Sequence, residues 1–270
     1  MQSANEDPTK ASMSRSRSLL TFFLLTFALA VPFWVLGGVI GAELLPGLPG
    51  AALMFVCPAL AALILVYRES GSESAKALLK RALDYKRIKA KAWYVPILLL
   101  NPAISVLSYV VLRLIGTPVP VPEIPILATL ALCVVFLIGA LGEELGWSGY
   151  AIDPMQSRLG ALGASLLLGA LWAAFHFVAL AQAHRSVEWI AWWSLGTVSA
   201  RVIMVLLYNQ TGKSVFGAAL FHAASNVCWQ TFPIHGSFFD PRVTGLITGV
   251  VAVVATRVWR PPPLDRRRKT

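Results

Sequence analysis

The stretch that decides the fold is ILATLALCVVFLIGALGEELGWSGY, residues 126–150. Its first 17 residues carry no charge, and the adjacent carboxylates Glu143 and Glu144 follow them directly. An apolar run of about 18 residues is a candidate for a transmembrane helix. An ionisable side chain inside a bilayer costs roughly 2.5–3.5 kcal/mol on insertion scales. The stretch therefore predicts a membrane helix whose acidic groups are kept for a function.

Apolar residues dominate the rest of the chain as well. Of its 270 residues, 57% are hydrophobic and 13% are charged, whereas about a quarter of the residues in a soluble domain are charged. Because backbone donors inside a bilayer must be satisfied internally, apolar spans are predicted to be helices. The predicted fold is an all-α polytopic membrane protein of about eight transmembrane helices in one domain, residues 18–260. The eight apolar blocks are 18–42, 48–67, 93–115, 124–145, 159–182, 189–208, 213–232 and 241–259.

The hydrophilic segments lie at the two ends and in one internal loop. Residues 1–17 are polar and are predicted to be disordered. Residues 68–92 form a basic loop, in which 74–90 fits either an interfacial amphipathic helix or a short surface helix. Residues 261–270 form a basic tail. The first apolar block is too long for the h-region of a cleavable signal peptide and is expected to be a retained anchor.

The positive charge is distributed unevenly across the predicted membrane. The net charge is +10, and 19 of the 23 Lys and Arg residues fall on the side that holds both termini. This bias predicts cytoplasmic termini, because cytoplasmic loops collect Lys and Arg. Short loops favour a plasma (inner) membrane. The expected partners of the basic tail and loop are anionic lipids rather than nucleic acid.

Two apolar helices carry imidazoles. His222 and Asn226, in block 213–232, are four residues apart and so share one helix face. His176 lies in block 159–182. Each feature also has a structural interpretation. His222 and Asn226 could hydrogen-bond neighbouring helices, and a lone His is often a satisfied core residue. The three cysteines are isolated and are expected to be buried, inert thiols.

The two adjacent carboxylates cannot face the same point, because neighbouring helical residues are about 100° apart. If Glu143 shares its face with Trp147, Glu144 shares its own with Ser148. The alternative is a solvated acidic pair at a helix end. A carboxylate among apolar residues is suited to act as a general base.

Taken together, these side chains predict a hydrolytic site. Two neutral imidazoles with a carboxylate match an open zinc site with three protein ligands, here His176, His222 and Glu143. Glu143 or Glu144 could take a proton from the attacking water, and Asn226 could donate to an oxyanion. A Ser or Cys nucleophile beside a positioned base is missing from the motifs, which disfavours acyl-enzyme chemistry.

The paired Glu in a Trp-x-Gly-Tyr context, the aromatic-xxx-His helix and the His-xxx-Asn helix resemble the CPBP family of intramembrane proteases. That family includes CAAX prenyl endopeptidases and bacteriocin-processing or immunity proteins. The resemblance covers about residues 124–230 and implies a four-helix catalytic core at 124–232. It implies that Glu143 activates water, that His176 and His222 bind a metal or the oxyanion, and that Asn226 assists.

Two positions depart from the family pattern. Trp172 stands where Phe is more common, and Ser148 stands where the first motif has an Arg that would pair with Glu144. A buried Glu144 then needs another partner. Arg201, inside the sixth block, is the candidate, because an intramembrane Arg also needs a counter-ion.

One geometric requirement follows from these positions. With the predicted boundaries, His176 lies about 25 Å along its helix, at 1.5 Å per residue, whereas Glu143 lies at the end of its own. The site can assemble only if the fourth helix extends past Glu143 or the fifth begins near Ala164.

Three functions remain open at this point. The first is an intramembrane (metallo)endopeptidase that cleaves a membrane-associated peptide or protein, with or without an attached lipid. The second is a non-catalytic relative that acts as a scaffold or immunity-type binding protein. The third, a transporter with a Glu and His proton relay, is disfavoured because the sequence lacks an inverted repeat of broken helices.

Overall fold

The computed structural model describes residues 8–236 and 240–259, and for 8–18 it describes the backbone alone. These ranges hold eight α-helices and one short antiparallel hairpin, so the all-α class is confirmed. The helices are α1 Pro8–Ile40, α2 Cys57–Lys80, α3 Tyr94–Leu114, α4 Ile126–Gly146, α5 Ile152–Gln182, α6 Val187–Gln210, α7 Val215–Thr231 and α8 Pro241–Val258. The hairpin strands are β1 Glu43–Leu45 and β2 Leu48–Pro49.

Among the residues that the structure describes, six segments are long and apolar enough to cross a membrane, which makes the chain a multi-pass integral membrane protein. Helices α4 and α5 lie within one of these segments, Ile126–Gln182, and α7, with 17 residues, is not among them. Eight separate crossings therefore stay a prediction. The other five segments are Leu19–Ile40, Gly50–Leu83, Lys91–Leu114, Val187–Gln210 and Pro241–Val258.

The hydrophilic segments differ from the prediction. Helix α1 begins at Pro8, inside the stretch predicted to be disordered, while residues 1–7 and the tail 261–270 lie outside the described residues. Most of the predicted loop 68–92 is helical. Helix α2 continues to Lys80 across a non-helical residue at Gly71, and three short 3-10 turns follow it.

The helix that carries Glu143 continues well beyond α4. It runs on through the π-helical turn Trp147–Ala151 and the first part of α5 as far as Leu159. Gly160 then has φ 68° and ψ 173°, a conformation essentially restricted to glycine. Glu143 lies 17 residues before Gly160 and His176 lies 16 residues after it. Since Glu143 Oε1 nevertheless lies 3.9 Å from His176 Nε2, the chain reverses at Gly160. The fourth helix does extend past Glu143, which is one of the two alternatives that the sequence left open.

The bundle has two ends. The loop end holds residues 81–93, the π-helical turn and the α6–α7 connector, and the hairpin end holds β1, β2 and the connectors 183–186 and 232–236. At the loop end, the Asp84 carboxylate accepts hydrogen bonds from Ser214 Oγ (2.8 Å) and the backbone N–H of Phe216 (3.1 Å). An anion at a helix N-terminus is stabilised by the helix dipole. Asp84 thus fixes the start of α7, the helix that carries His222.

The hairpin packs on the opposite end of the same helices. Leu45 and Leu48 pack against a cluster from α4 and α7 that includes Phe136 and Ala219. Gln230 Nε2 donates to the Pro46 carbonyl at 3.4 Å. Both ends of α7 are therefore held by segments that are distant in sequence.

Candidate active site

Glu143, His176 and His222 meet at one point between α4, α5 and α7. Glu143 Oε1 lies 3.9 Å from His176 Nε2 and 4.0 Å from His222 Nε2. Glu143 and His222 are buried, and 22% of the His176 side chain is exposed. The structure brings together the carboxylate and the two imidazoles that the sequence singled out.

Each imidazole turns Nε2 toward Glu143, and the hydrogen bond that its Nδ1 makes on the opposite side of the ring determines the tautomer. His176 Nδ1 lies 2.8 Å from the Trp172 carbonyl, which can only accept, so Nδ1 is the donor. His222 Nδ1 lies 3.2 Å from Glu144 Oε1 and donates to that carboxylate. In the neutral imidazoles both Nε2 atoms then carry lone pairs. Three acceptors converge, an arrangement suited to a donor such as water.

The other oxygen of Glu143 is held by two indoles. Trp172 Nε1 donates to Glu143 Oε2 at 2.7 Å, and Trp147 Nε1 donates to the same oxygen at 3.2 Å. Trp147 is fully buried and Trp172 is 7% exposed. Glu143 thus presents Oε1 to the imidazoles while Oε2 is occupied.

Glu144 points away from Glu143 and is paired with Arg201. The guanidinium is bidentate, with Nη1 2.8 Å from Oε2 and Nη2 2.9 Å from Oε1, and both side chains are fully buried. Ser148 Oγ also donates to Glu144 Oε2. The predicted pairing of Glu144 with Arg201 is confirmed, as are the predicted faces of Glu143 with Trp147 and Glu144 with Ser148. A bidentate, charge-assisted pair is the form in which a buried ion pair is best satisfied.

Asn226 lies one turn beyond His222 on the same face of α7, toward the hairpin end. Its side chain is half-buried and forms no hydrogen bond with any described residue. An unengaged amide one helical turn from His222 is available to a bound substrate. Its role as an oxyanion donor stays a prediction.

An aromatic shell surrounds the site and ties it to α1. Phe175 stacks edge-on against Trp147 (5.6 Å between centroids) and against Phe27 of α1 (5.6 Å). Trp193 of α6 lies 5.5 Å from the His176 ring. With these rings packed around the site, only 7% of the Glu143 side chain is exposed.

The residues do not fit zinc as they are placed. In the described ranges, no group of three or more His, Cys, Asp or Glu side chains could hold a metal ion. Ligands around a tetrahedral zinc with Zn–N bonds of about 2.0–2.1 Å are roughly 3.3 Å apart. The distances of 3.9 and 4.0 Å from Glu143 to the two imidazoles are longer. Zn²⁺ at His176, His222 and Glu143 stays a prediction.

The sequence did not predict Trp172 as a partner of Glu143, because the motif marks this residue only as a departure from Phe. Its spacing held a signal, since Trp172 lies four residues before His176 and shares its helix face. Asp84 was also missed. It lies about 130 residues from its partners in α7, and such a separation leaves no local pattern.

The sequence is similar to a known protein family and to a named relative. Residues 125–228 match the family model described as type II CAAX prenyl endopeptidase Rce1-like. The family resemblance predicted from the motifs is confirmed. The chain is also 26% identical over 264 residues to CAAX prenyl protease 2 of Methanococcus maripaludis, and the match covers 88% of this chain and 91% of the relative. The matched Rce1-like segment contains Glu143, Glu144, His176, His222 and Asn226.

Proposed function

We propose that this protein is an intramembrane endopeptidase that hydrolyses a peptide bond in a membrane-associated protein. The observation that carries the proposal is the convergence of Glu143 Oε1 with His176 Nε2 and His222 Nε2 inside a membrane bundle. The Rce1-like match and the relative named as a CAAX prenyl protease support a protease activity. From that relative's name, a substrate with a prenylated C-terminal cysteine is the first class to test.

The proposed reaction uses the converging acceptors to hold one water. The water donates one hydrogen to Glu143 Oε1 and the other to an imidazole Nε2, so its oxygen lone pair is free to attack the scissile carbonyl carbon. Glu143 takes the proton as the C–O bond forms, and Asn226 Nδ2 donates to the resulting oxyanion. When the C–N bond breaks, the proton passes from Glu143 to the leaving amine.

Glu144 has a separate role in this scheme. Paired with Arg201, it stays ionised and accepts from His222 Nδ1, which keeps Nε2 of His222 as the acceptor. A carboxylate that accepts from one ring nitrogen commonly fixes which nitrogen of an imidazole is protonated. Because Arg201 supplies the positive charge that Ser148 lacks, the departure at Ser148 does not favour the non-catalytic alternative.

We also infer that both termini face the cytoplasm of a plasma membrane, so the loop end meets the cytoplasmic leaflet. Exposed Lys80, Lys86 and Lys89 lie there beside the exposed apolar Leu79 and Leu83. A basic surface with exposed leucines suits anionic lipid headgroups.

The first test compares wild type with Glu143→Gln. The amide cannot take the proton from water, so cleavage falls about 100- to 10,000-fold while the protein inserts normally. Peptide termini are compared by mass spectrometry in cells that express each form, and on a prenylated peptide with the purified proteins. The exposed Glu73→Gln serves as the matched control and retains full activity. If Glu143→Gln keeps activity within tenfold of wild type, Glu143 is not the base. If the wild type yields no new termini, the protein is a binding or scaffold relative.

A further inference from the structure

Trp172 contacts Glu143, both imidazoles and Arg201. Its indole Nε1 donates to Glu143 Oε2, its carbonyl accepts from His176, and its ring lies 4.9 Å from His222 between centroids. The Arg201 guanidinium carbon lies 4.1 Å from the centroid of the same ring. One side chain therefore connects the Glu143 side of the site with the Glu144 side.

The indole is held in one orientation by these contacts. A guanidinium over a Trp face is attracted by the ring quadrupole, and Arg201 is itself fixed by its bidentate bond to Glu144. The ring cannot turn without leaving either Arg201 or His222. The position of the Trp172 N–H is thus determined by the buried ion pair.

The Trp172 N–H occupies Oε2 of Glu143, so Oε1 is the oxygen that can accept a proton from water. A carboxylate among apolar residues needs hydrogen-bond donors, and at Oε2 of Glu143 the donors are the indole N–H groups of Trp172 and Trp147. If these bonds are lost, the carboxylate can rotate to seek other partners, and Oε1 no longer faces the imidazoles. A misplacement of about 1 Å at a reacting group can cost on the order of 100-fold in rate.

We propose that Trp172, assisted by Trp147, is a positioning residue that holds Glu143 Oε1 toward the water-binding imidazoles. This role rests on the proposed function of Glu143 as the base. A phenylalanine at position 172 would keep an aromatic face for Arg201 but would lack the N–H. The chain would then depend on Trp147 alone, whose bond to Glu143 is longer.

The test replaces the indole N–H and leaves the ring shape in place. Benzothienylalanine, an isostere of Trp in which sulfur replaces N–H, is introduced at position 172, at position 147, and at both. At position 172 kcat falls about tenfold with KM within about twofold, and the double replacement lowers kcat about 100-fold, as expected for lost positioning. Trp172→Phe gives a similar fall in kcat. Trp93, which packs on Trp259 away from the site, is the matched control, and its replacement changes neither constant.

A second measurement does not depend on turnover. With ¹⁵N-labelled tryptophan, the indole N–H signals of Trp172 and Trp147 shift in Glu143→Gln, while that of Trp93 does not. Unchanged kcat in the benzothienyl form at 172, in an enzyme that Glu143→Gln inactivates, would overturn the positioning role and leave the proposed function intact. If the wild type cleaves nothing, the proposed function fails, and an unmoved Trp172 signal in Glu143→Gln would then overturn the contact itself.

Discussion

At the scale of single residues, the pair formed by Glu144 and Arg201 governs the site's electrostatics. Both side chains are fully buried, so water cannot solvate either charge if the other is removed. Breaking such a pair by removing one partner costs about 3–5 kcal/mol, because an uncompensated charge stays buried. The pair also fixes the His222 tautomer and the Trp172 ring, so its loss affects catalysis as well as stability.

We therefore expect Arg201→Met to lower stability by about 3–5 kcal/mol and to abolish activity. The thermal midpoint in detergent and the cleavage rate measure the two effects. In Ser148→Arg/Arg201→Met, the new guanidinium lies four residues after Glu144 on the same helix and occupies part of the space that Arg201 leaves. We expect this double variant to recover at least half of the lost stability.

The control for this experiment is Arg242→Met, which breaks the solvent-exposed pair with Glu188. An exposed pair contributes about 0–1 kcal/mol, so the midpoint changes little. If Ser148→Arg/Arg201→Met is no more stable than Arg201→Met alone, charge compensation of Glu144 is not what Arg201 contributes.

Residue-level prediction from the sequence succeeded where spacing carries the information. Glu143 with Trp147, Glu144 with Ser148, and His222 with Asn226 are all four apart on one helix, and such pairs share a face. The pairing of Arg201 with Glu144 was predictable because each is an ionisable group inside an apolar block. The bond from Trp172 to Glu143 joins two helices, and its donor is an apolar-looking residue, so neither periodicity nor charge pointed to it.

At the scale of helices, the central element is the long rod that carries Glu143 through the π-helical turn to Leu159. The sequence placed the break between the fourth and fifth blocks at about residues 145–159, because polar residues interrupt the apolar run there. In the structure the chain stays helical across most of that interval and reverses at Gly160. Hydropathy marks where a helix leaves the apolar layer, but it does not mark where the chain turns.

The rod crosses α2 closely at Gly146. A Cβ at this position would lie 2.5 Å from the carbonyl carbon and oxygen of Pro58, which is backbone and cannot give way as a flexible side chain can. We expect Gly146→Ala to force α2 and α4 apart, to destabilise the protein by about 1–3 kcal/mol, and to lower activity at Glu143, three residues away. The thermal midpoint and the cleavage rate are the measurements.

Gly139→Ala is the matched control on the same helix. Its Cβ would meet only Phe55, 4.0 Å away, and Ala is favoured over Gly in a helix by roughly 0.5–1 kcal/mol. The variant should be as stable as the wild type or slightly more stable. Equal midpoints for Gly146→Ala and Gly139→Ala would show that the α2–α4 crossing tolerates a methyl group.

At the scale of the whole molecule, the fold brings together elements that are far apart in sequence. Helix α7 is fixed at one end by Asp84 and at the other by the hairpin, and it presents His222 to Glu143 between them. The all-α class and the approximate helix positions followed from composition and apolar runs alone. The hairpin and the Asp84 contact did not, since both depend on pairings that exist only after the helices have assembled.

The number of crossings is the remaining prediction at this scale. If α4 and α5 cross separately, Val121 and Val187 lie on one side of the membrane, and Lys89 and Lys213 lie on the other. If Ile126–Gln182 crosses only once, Val187 lies opposite Val121.

Single cysteines at these exposed positions, in a form that lacks Cys57, Cys133 and Cys228, are labelled with an impermeant maleimide. Eight crossings with cytoplasmic termini predict that Val121→Cys and Val187→Cys react from outside intact cells. Lys89→Cys and Lys213→Cys should react only after permeabilisation, because the excess of Lys and Arg keeps the loop end in the cytoplasm.

Labelling of Val121→Cys but not Val187→Cys in intact cells would contradict a separate crossing by α5. It would also contradict the reversal at Gly160 that brings His176 back to Glu143.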